Sequence, residues 1–462
     1  MNSSIVPGVR PGIRRRLASH PPGLFVLAMT EMWERFSFSG MQTLLVLYMV
    51  QGLLTPARVG RIAGFAPLRA FLESIYGALG PQPLASAIFG LYTGLIFFMP
   101  VIGGYVGDRL IGQHRTVLLG AVLMTIGHFL MAFDVTFIVA LAALILGAGC
   151  IKGNISTQVA GLYADDDRRR ADGFQIFSAG INLGVVVAPL VCGTLGEVFG
   201  WHYGFVAAGA GMLIGLAIYC AGRRHLPADT KRAVREPASS LLPEKPALLW
   251  ILLLCFVLTT CFLTAAGQLG NAYSLWIQAH VARGIGGYTV PVTWFQTLTP
   301  LASIAATPAL LSVWRRQAAR NAEPGLQQKM GIGLLLTAAG LGLLALIAAM
   351  AGRGAVPGIL LVPTHILVAL GYLFTWPVAL ALFSQAAPPH ARAMYIGAFF
   401  ISSFIASNLV GWLGGFYMTV TPGLFWGAHA SIALAGALLV IATARPMRRL
   451  LLSTSTMQGR SA

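Results

Sequence analysis

Twelve stretches of this chain are each long and apolar enough to cross a lipid bilayer, and no other feature narrows its possible folds as far. A spanning helix needs about 20 apolar residues. Stretches of that kind lie near 22–52, 85–107, 114–134, 136–160, 171–199 and 201–222. After a break they continue near 247–280, 290–314, 327–352, 356–386, 391–421 and 423–444. One or two such runs could be helices buried in a soluble core; a dozen, in a chain 56% hydrophobic and only 10% charged, point instead to a membrane. The expected fold class is an all-α polytopic membrane protein with about twelve transmembrane helices.

The formal charge of +17 would suit a nucleic-acid partner if it were clustered on one surface, but it is distributed over alternate loops. Arg14-Arg15-Arg16, Arg109 with Arg115, Arg168-Arg169-Arg170, Arg223-Arg224 with Lys231-Arg232, Arg315-Arg316 with Arg320, and Arg445 with Arg448-Arg449 all fall on one side. Basic loops mark the cytoplasmic side. This pattern predicts a multi-pass protein of the cell (inner) membrane with both termini cytoplasmic, its partners being the lipid bilayer and a small solute rather than nucleic acid. Arg58, Arg61 and Arg69 lie on the other side, in a loop long enough to translocate regardless of charge. The first apolar run is too long for a signal-peptide core and carries acids, so it reads as helix one. Cys150, Cys192, Cys220, Cys255 and Cys261 lie within spans without metal-ligand spacing, so they read as packing residues and no metal is expected.

The one extended polar stretch runs from Arg223 to Lys245 and contains Pro227, Asp229, Pro237, Ser239-Ser240 and Pro243. It divides the chain into a tail (1–21), a six-helix bundle (22–222), a cytoplasmic linker (223–246), a second bundle (247–444) and a tail (445–462). Two six-helix halves with a solute site between them near the midplane is the major facilitator plan.

Within the spans the ionisable groups are unevenly placed. Glu31, Glu34 and Arg35 lie in the middle of the first apolar run and Lys152 in the fourth, whereas the only acidic residue after Glu244 is Glu323, in a loop. A charge at bilayer depth costs at least about 2.5–3.5 kcal/mol, so such groups pair or line a solute path. Glu31 and Arg35, four apart, share a helix face, with Glu34 one step round. An Arg beside two carboxylates holds one ionised and leaves the other able to take a proton. Protonation then frees Arg35, whose planar fork suits a carboxylate. A purely structural ion cluster is the other reading of these residues. Lys152, among Gly147, Gly149 and Gly153, has no acid within reach on its own helix; either its partner comes from another helix or it snorkels to the interface. Asp108, Arg109 and Arg115 mark a turn that could latch the cytoplasmic face or be simply solvated. Asp165 to Arg170 reads as a solvated loop, and His128, His365 and His429 as packing residues. No nucleophile with a base, metal cluster or phosphate-cradling loop is present in the sequence, so an enzyme is not expected.

These residues resemble the proton-dependent oligopeptide transporters of the major facilitator superfamily over about residues 22–440. The family pattern E-x-x-E-R-F-x-Y-Y-G corresponds to Glu31 to Gly40. Leu91-Tyr92-Thr93-Gly94 with Gly103-Gly104-Tyr105-Val106-Gly107-Asp108-Arg109 matches its second helix and turn. Lys152-Gly153-Asn154, Gly180-Ile181-Asn182-Leu183-Gly184 and Trp294-Phe295-Gln296 follow in order. The resemblance implies a proton-coupled symporter of di-/tripeptides or peptide-like carboxylates working by alternating access, with a proton gradient in place of any cofactor. Coupling and carboxylate binding fall to Glu31, Glu34, Arg35 and Lys152, with Lys152 moving between the helix-one carboxylates and the solute, and the cytoplasmic gate to Asp108, Arg109 and Arg115. A repurposed fold with a non-standard cargo, or a non-transporting binder, is the alternative.

Departures from the family collect in the implied pocket. Phe38 and Ser39 replace paired tyrosines and Gln42 an arginine; Phe97 and Ser178 each replace a tyrosine, ahead of Asn182. In helix seven, Gly267 stands for a titrating carboxylate beside Gln268 and Asn271. In helix ten, Tyr372 stands for the glutamate that holds a peptide amine, before Trp376. Near Gln296, Thr299 replaces an asparagine, and Phe399 a tryptophan. An anion-binding first half would thus face a neutral second half of Tyr273, Trp276, Tyr372, Trp376 and Phe399, implying a carboxylate with an apolar or blocked far end.

Overall fold

The computed structural model describes residues 19–164, 166–167, 169–229, 246–352, 354–386 and 392–458, with side chains left out at 246–247, 385–386, 392–394 and 444–458. Most of the expected N-terminal tail and linker, Asp165 and Arg168 of the acidic-basic loop, and the last residues of the C-terminal tail lie outside the described residues. The described residues are mainly helical, as the apolar runs predict. Its helices are α1 (Pro22–Tyr48), α2 (Phe65–Tyr76), α3 (Pro81–Tyr105), α4 (Gln113–Leu130), α5 (Phe137–Gly161), α6 (Arg169–Ala188) and α7 (Trp201–Ala221). They continue as α8 (Pro246–Gly267), α9 (Ala272–His280), α10 (Leu298–Ala319), α11 (Leu326–Ala351), α12 (Val362–Ala386), α13 (Arg392–Gly414) and α14 (Pro422–Gln458).

Eleven of the described helical segments have spanning length and hydropathy. α4 is the twelfth: its 18 residues reach about 27 Å, close to the hydrocarbon thickness, but Gln113, His114, Arg115 and His128 make it more polar. Wide π-helical turns carry α1 on to Leu53, α3 to Leu110 and α6 to Phe199. Gly112 (φ +88°) and Gly200 (φ +125°) then reverse the chain in left-handed backbone that residues with a Cβ rarely adopt. Proline at the first turn of α1 and α3 starts those helices without losing a bond.

Two differences from the hydropathy reading have local causes. The expected 247–280 span is broken at Gln268–Asn271, where Gln268 and Asn271 both donate their side-chain amides to the Val410 carbonyl, at 2.8 and 3.3 Å. The loop after the first span contains α2, which Gly77 (φ +79°) terminates. α2 buries Phe65 and Leu72 and presents Phe71 and Ile75 outward. Short strand pairs join Val281–Ala282 to Val356–Pro357 and Gly284–Ile285 to Tyr288–Thr289.

Two separate cores form. One is built almost wholly from α1–α7, the other from α8–α14. Within the first, α3 crosses α5 where Gly103 meets the Gly149 carbonyl, and α4 crosses α5 at Gly120 and Gly147. Small residues at such crossings let backbones approach and gain dispersion contact, the main attraction available between helices in lipid.

The halves meet on the face opposite the one where α1 begins. There Glu197 accepts from the backbone N–H of Val292 (2.7 Å) and Thr293 (2.8 Å) and from Thr293 Oγ1 (2.7 Å). Trp294 Nε1 donates to Thr194 (2.8 Å), Thr43 to Gln296 (3.0 Å), Gln82 to the Gly414 carbonyl (3.0 Å) and Ser86 to Asn271 (3.1 Å). Gln51 contacts Gln278. Every hydrogen bond between the halves among the described residues belongs to this seal. Toward the other face Tyr105, Arg109 and Leu110 are exposed and α10 buries little.

Candidate functional site

Glu31, Glu34 and Arg35 sit midway along α1. Arg35 Nε donates to Glu31 Oε1 at 3.1 Å and lies 2.6 Å from Glu34 Oε2. The Arg35 side chain thus holds both carboxylates at once. Glu34 is fully buried and Glu31 is 4% exposed. Glu31 Oε2 and both Glu34 oxygens receive no hydrogen bond from the protein. A buried carboxylate with free lone pairs is chemically equipped to take a proton. The Tyr92 hydroxyl on α3, also without a partner, is close enough to feel the Glu34 charge.

The motif Gly180-Ile181-Asn182-Leu183-Gly184 explains itself beside this cluster. Gly184 packs against the Met32 carbonyl and Arg35 Cβ, and Gly180 against the Ala28 carbonyl, so any side chain there would push α6 off α1. Asn182 and Ser178 are exposed on the same helix.

Lys152 reaches the site from α5. Its ammonium lies 4.8 Å from the Phe38 ring centroid and 4.9 Å from that of Phe97, and the Arg35 guanidinium lies 5.6 Å from Phe38. Among the described residues no carboxylate is within ion-pair distance of Lys152, although the charges of Glu31 and Glu34 both reach it. Two ring faces therefore hold the ammonium where the sequence reading expected a carboxylate or the interface. Two residues along, Asn154 fixes the height of α5 by donating to the Gly103 carbonyl of α3 at 2.9 Å.

Phe97 continues the site into the second half. Its ring lies 6.2 Å from Trp376, which stacks on Tyr372 (6.5 Å, 13° between planes) and packs 4.8 Å from Phe399. Tyr372 remains 38% exposed although it lies midway along α12, and it shares a helix face with Trp376, which meets Phe97 of the first half. A Cβ at Gly267 would lie 2.7 Å from Val410 Cγ2, so a side chain there would have to displace that methyl group.

Other residues read as pocket lining are engaged elsewhere. Gln268 and Asn271 are fully buried in the packing of α8, α13 and α3. Gln296 joins Thr43 to Ser274 (2.6 Å) in the seal, while Ser39 is buried and Gln42 half-buried. Tyr273 and Trp276 are core residues. The Tyr273 hydroxyl bonds His365 Nε2 at 2.7 Å, and His365 Nδ1 bonds the Thr299 hydroxyl at 2.7 Å, a polar chain not legible from the spacing of these residues. At the turn after α3, Asp108 accepts from Gln113 (3.0 Å), and Arg109 and Arg115 are exposed. Sequence reasoning also passed over Glu197; its one visible signal was a carboxylate at the very end of an apolar run.

Taken together, the site is a buried ion cluster and a ring-seated ammonium facing an aromatic wall across two helical halves, and chains of this build are known. The protein is 27% identical, over 96% of its length and 98% of the relative's, to the peptide transporter YePEPT of Yersinia enterocolitica subsp. palearctica serotype O:3 (strain YE-P4). It is 28% identical, over 93% and 96%, to the di-/tripeptide transporter of Lactococcus lactis subsp. cremoris. A crystal structure of the peptide transporter POT in complex with sulfate matches it with a TM-score of 0.82 at 27% identity, over 96% of this chain and 97% of that one. The POT family profile matches residues 114–236 and 241–423, so the motifs, the fold and the extent of the match agree: the chain belongs to the POT family, whose members are transporters and not enzymes.

Proposed function

We propose that this protein is a proton-coupled symporter that carries di-/tripeptides or peptide-like carboxylates across the cell membrane by alternating access, with both termini cytoplasmic. The observation that carries this reading is the Arg35 guanidinium held between two buried carboxylates that keep three oxygens free of hydrogen bonds. When one carboxylate takes a proton, Arg35 loses half of its counter-charge and can turn its fork to a substrate carboxylate, with Lys152, which shares the Phe38 ring with it, as the second cation. Loss of the proton restores the ion cluster and expels the substrate. The six-helix halves at 22–222 and 247–444 move about this site, joined by the linker 223–246. The seal through Glu197 closes the outer face while the inner face, with Asp108, Arg109 and Arg115, stands open. Peptide-like ligands fit such a site. One relative of known structure was solved with alafosfalin, and the POT peptide transporters above share this chain's full length.

The test is uptake into proteoliposomes with an inward proton gradient, comparing the wild type with Glu34→Gln. The variant keeps an uncharged isostere beside Arg35, so it should retain substrate exchange but lose gradient-driven accumulation by at least tenfold. Undiminished accumulation by Glu34→Gln, with Glu31→Gln equally active, would sink the coupling role.

A further inference from the structure

Charge counting around the site says more about the cargo than its carboxylate end. Glu31 and Glu34 against Arg35 and Lys152 sum to zero, and one bound proton leaves a surplus of one positive charge. A cargo with a single negative charge cancels that surplus; a zwitterion does not. Across the cavity the second half offers nothing to balance an ammonium. Its only acid beyond the linker is Glu323, which lies in the loop before α11 and contacts Lys329. In place of an acid stand Tyr372, with its exposed face, and Trp376 stacked behind it, linked to the Lys152 seat through Phe97. An aromatic face attracts an ammonium, but by less than the cost of stripping that ion of water without a paired carboxylate. Glu31 and Glu34 are committed to Arg35.

We infer that this transporter takes cargo as a monoanion: recognition is by the carboxylate at Arg35 and Lys152 and by an uncharged, apolar or aromatic far end at Tyr372 and Trp376. An amino group is not required, and the loaded carrier, with one proton, is electrically neutral. This deepens the proposed function and rests on its assignment of Arg35 and Lys152 to the cargo carboxylate.

The experiment compares labelled dialanine with N-acetyl-dialanine in proteoliposomes, under an imposed pH gradient and separately under an imposed membrane potential. N-acetyl-dialanine should accumulate with kcat/KM at least equal to that of dialanine, driven by the pH gradient and indifferent to potential. Accumulation of dialanine with N-acetyl-dialanine more than tenfold poorer would overturn the inference while leaving proton-coupled peptide transport standing. Failure of both substrates, with the protein monodisperse in detergent, would count against both. Tyr372→Glu supplies the missing acid at an exposed position, and should shift the preference toward free dialanine at least tenfold. An unchanged preference would mean that Tyr372 does not meet the far end of the cargo.

Discussion

Replacing Glu197 by Ala removes the most concentrated polar contact between the halves, and its effect can be sized from the geometry. Three donors converge on one carboxylate at 2.7–2.8 Å, two of them backbone N–H groups at the start of the turn leading into α10. A hydrogen bond is worth about 0.5–1.5 kcal/mol net, because water replaces it when the halves part. The positive end of the helix adds about 0.3–1 kcal/mol. Allowing for non-additivity within one cluster, Glu197→Ala should weaken the closed outer face by about 2–4 kcal/mol. At about 1.4 kcal/mol per factor of ten, this is roughly 30-fold to several hundredfold in the ratio of closed to open. Arg283 is 4.0 Å from Glu197 and partly exposed, so its contribution falls in the range of surface pairs, about 1 kcal/mol or less. Arg283→Ala should therefore move the ratio far less and serves as the control. Spin labels at Ala57 and Ile285, exposed on opposite halves, would report the change as a new long-distance population in Glu197→Ala. Superimposable distance distributions for wild type and Glu197→Ala, with Arg283→Ala no different, would refute the claim that this carboxylate carries the closure.

Two glycines separate closure from folding. A Cβ at Gly90 would lie 2.6 Å from the Ser407 carbonyl and 2.7 Å from Gly411 Cα, in the other half, so Gly90→Val should abolish uptake while leaving the thermal melting curve within a few degrees of wild type. Gly103 meets the Gly149 carbonyl inside the first half, so Gly103→Val should lower the melting temperature and yield of folded protein instead. The loop acids predict what the pH profile will not depend on. The Arg69 side chain hydrogen-bonded to Glu73, and the Arg169 side chain hydrogen-bonded to Asp167, hold both carboxyls below their usual range. A lowered carboxylate stabilises the fold above its unfolded value, about 4, and loses that contribution only as pH falls through the still lower folded value. Both are thus ionised across pH 5–8, and Glu73→Gln and Asp167→Asn should leave the midpoint of uptake against pH where it is.

The sequence made the first half of the site legible because an ion in hydrocarbon is conspicuous: Glu31, Glu34 and Arg35 stand out of an apolar run, and the four-residue spacing already placed Glu31 against Arg35. The seat of Lys152 was not legible, since Phe38 and Phe97 reach it from α1 and α3 and an aromatic in a membrane helix looks the same whether it lines a cavity or a core. The same ambiguity hid the roles of Gln268 and Asn271, whose partner Val410 lies about 140 residues away. Hydropathy located the spans to within a few residues, yet read through the break at 268–271, because a short kink costs the window no apolar residues. Glu197 escaped notice for a related reason: a carboxylate at the end of a span looks like an ordinary solvated terminus until the backbone N–H groups it receives are known.

At the seal the second half offers backbone N–H groups and the uncharged side chains of Thr293, Trp294, Gln296 and Asn271, and the one carboxylate among these contacts, Glu197, again belongs to the first half. Both charged elements are carried on the same two helices. α1 holds Glu31 and Arg35 and, about 12 Å further along, Thr43 at its bond to Gln296. α6 holds Gly184 against Arg35, and its continuation ends in Glu197. Between those points Gly40 of α1 lies against Cys192, where a Cβ would come within 2.5 Å of Sγ. Helices in contact at both levels slide past one another only by breaking close packing, so in the cycle proposed above α1 and α6 would shift as one piece. On that proposal a change of charge at Arg35 and a change in the fit of Glu197 to the turn before α10 would be displacements of a single body, and the second half need only present a surface that fits one of its positions.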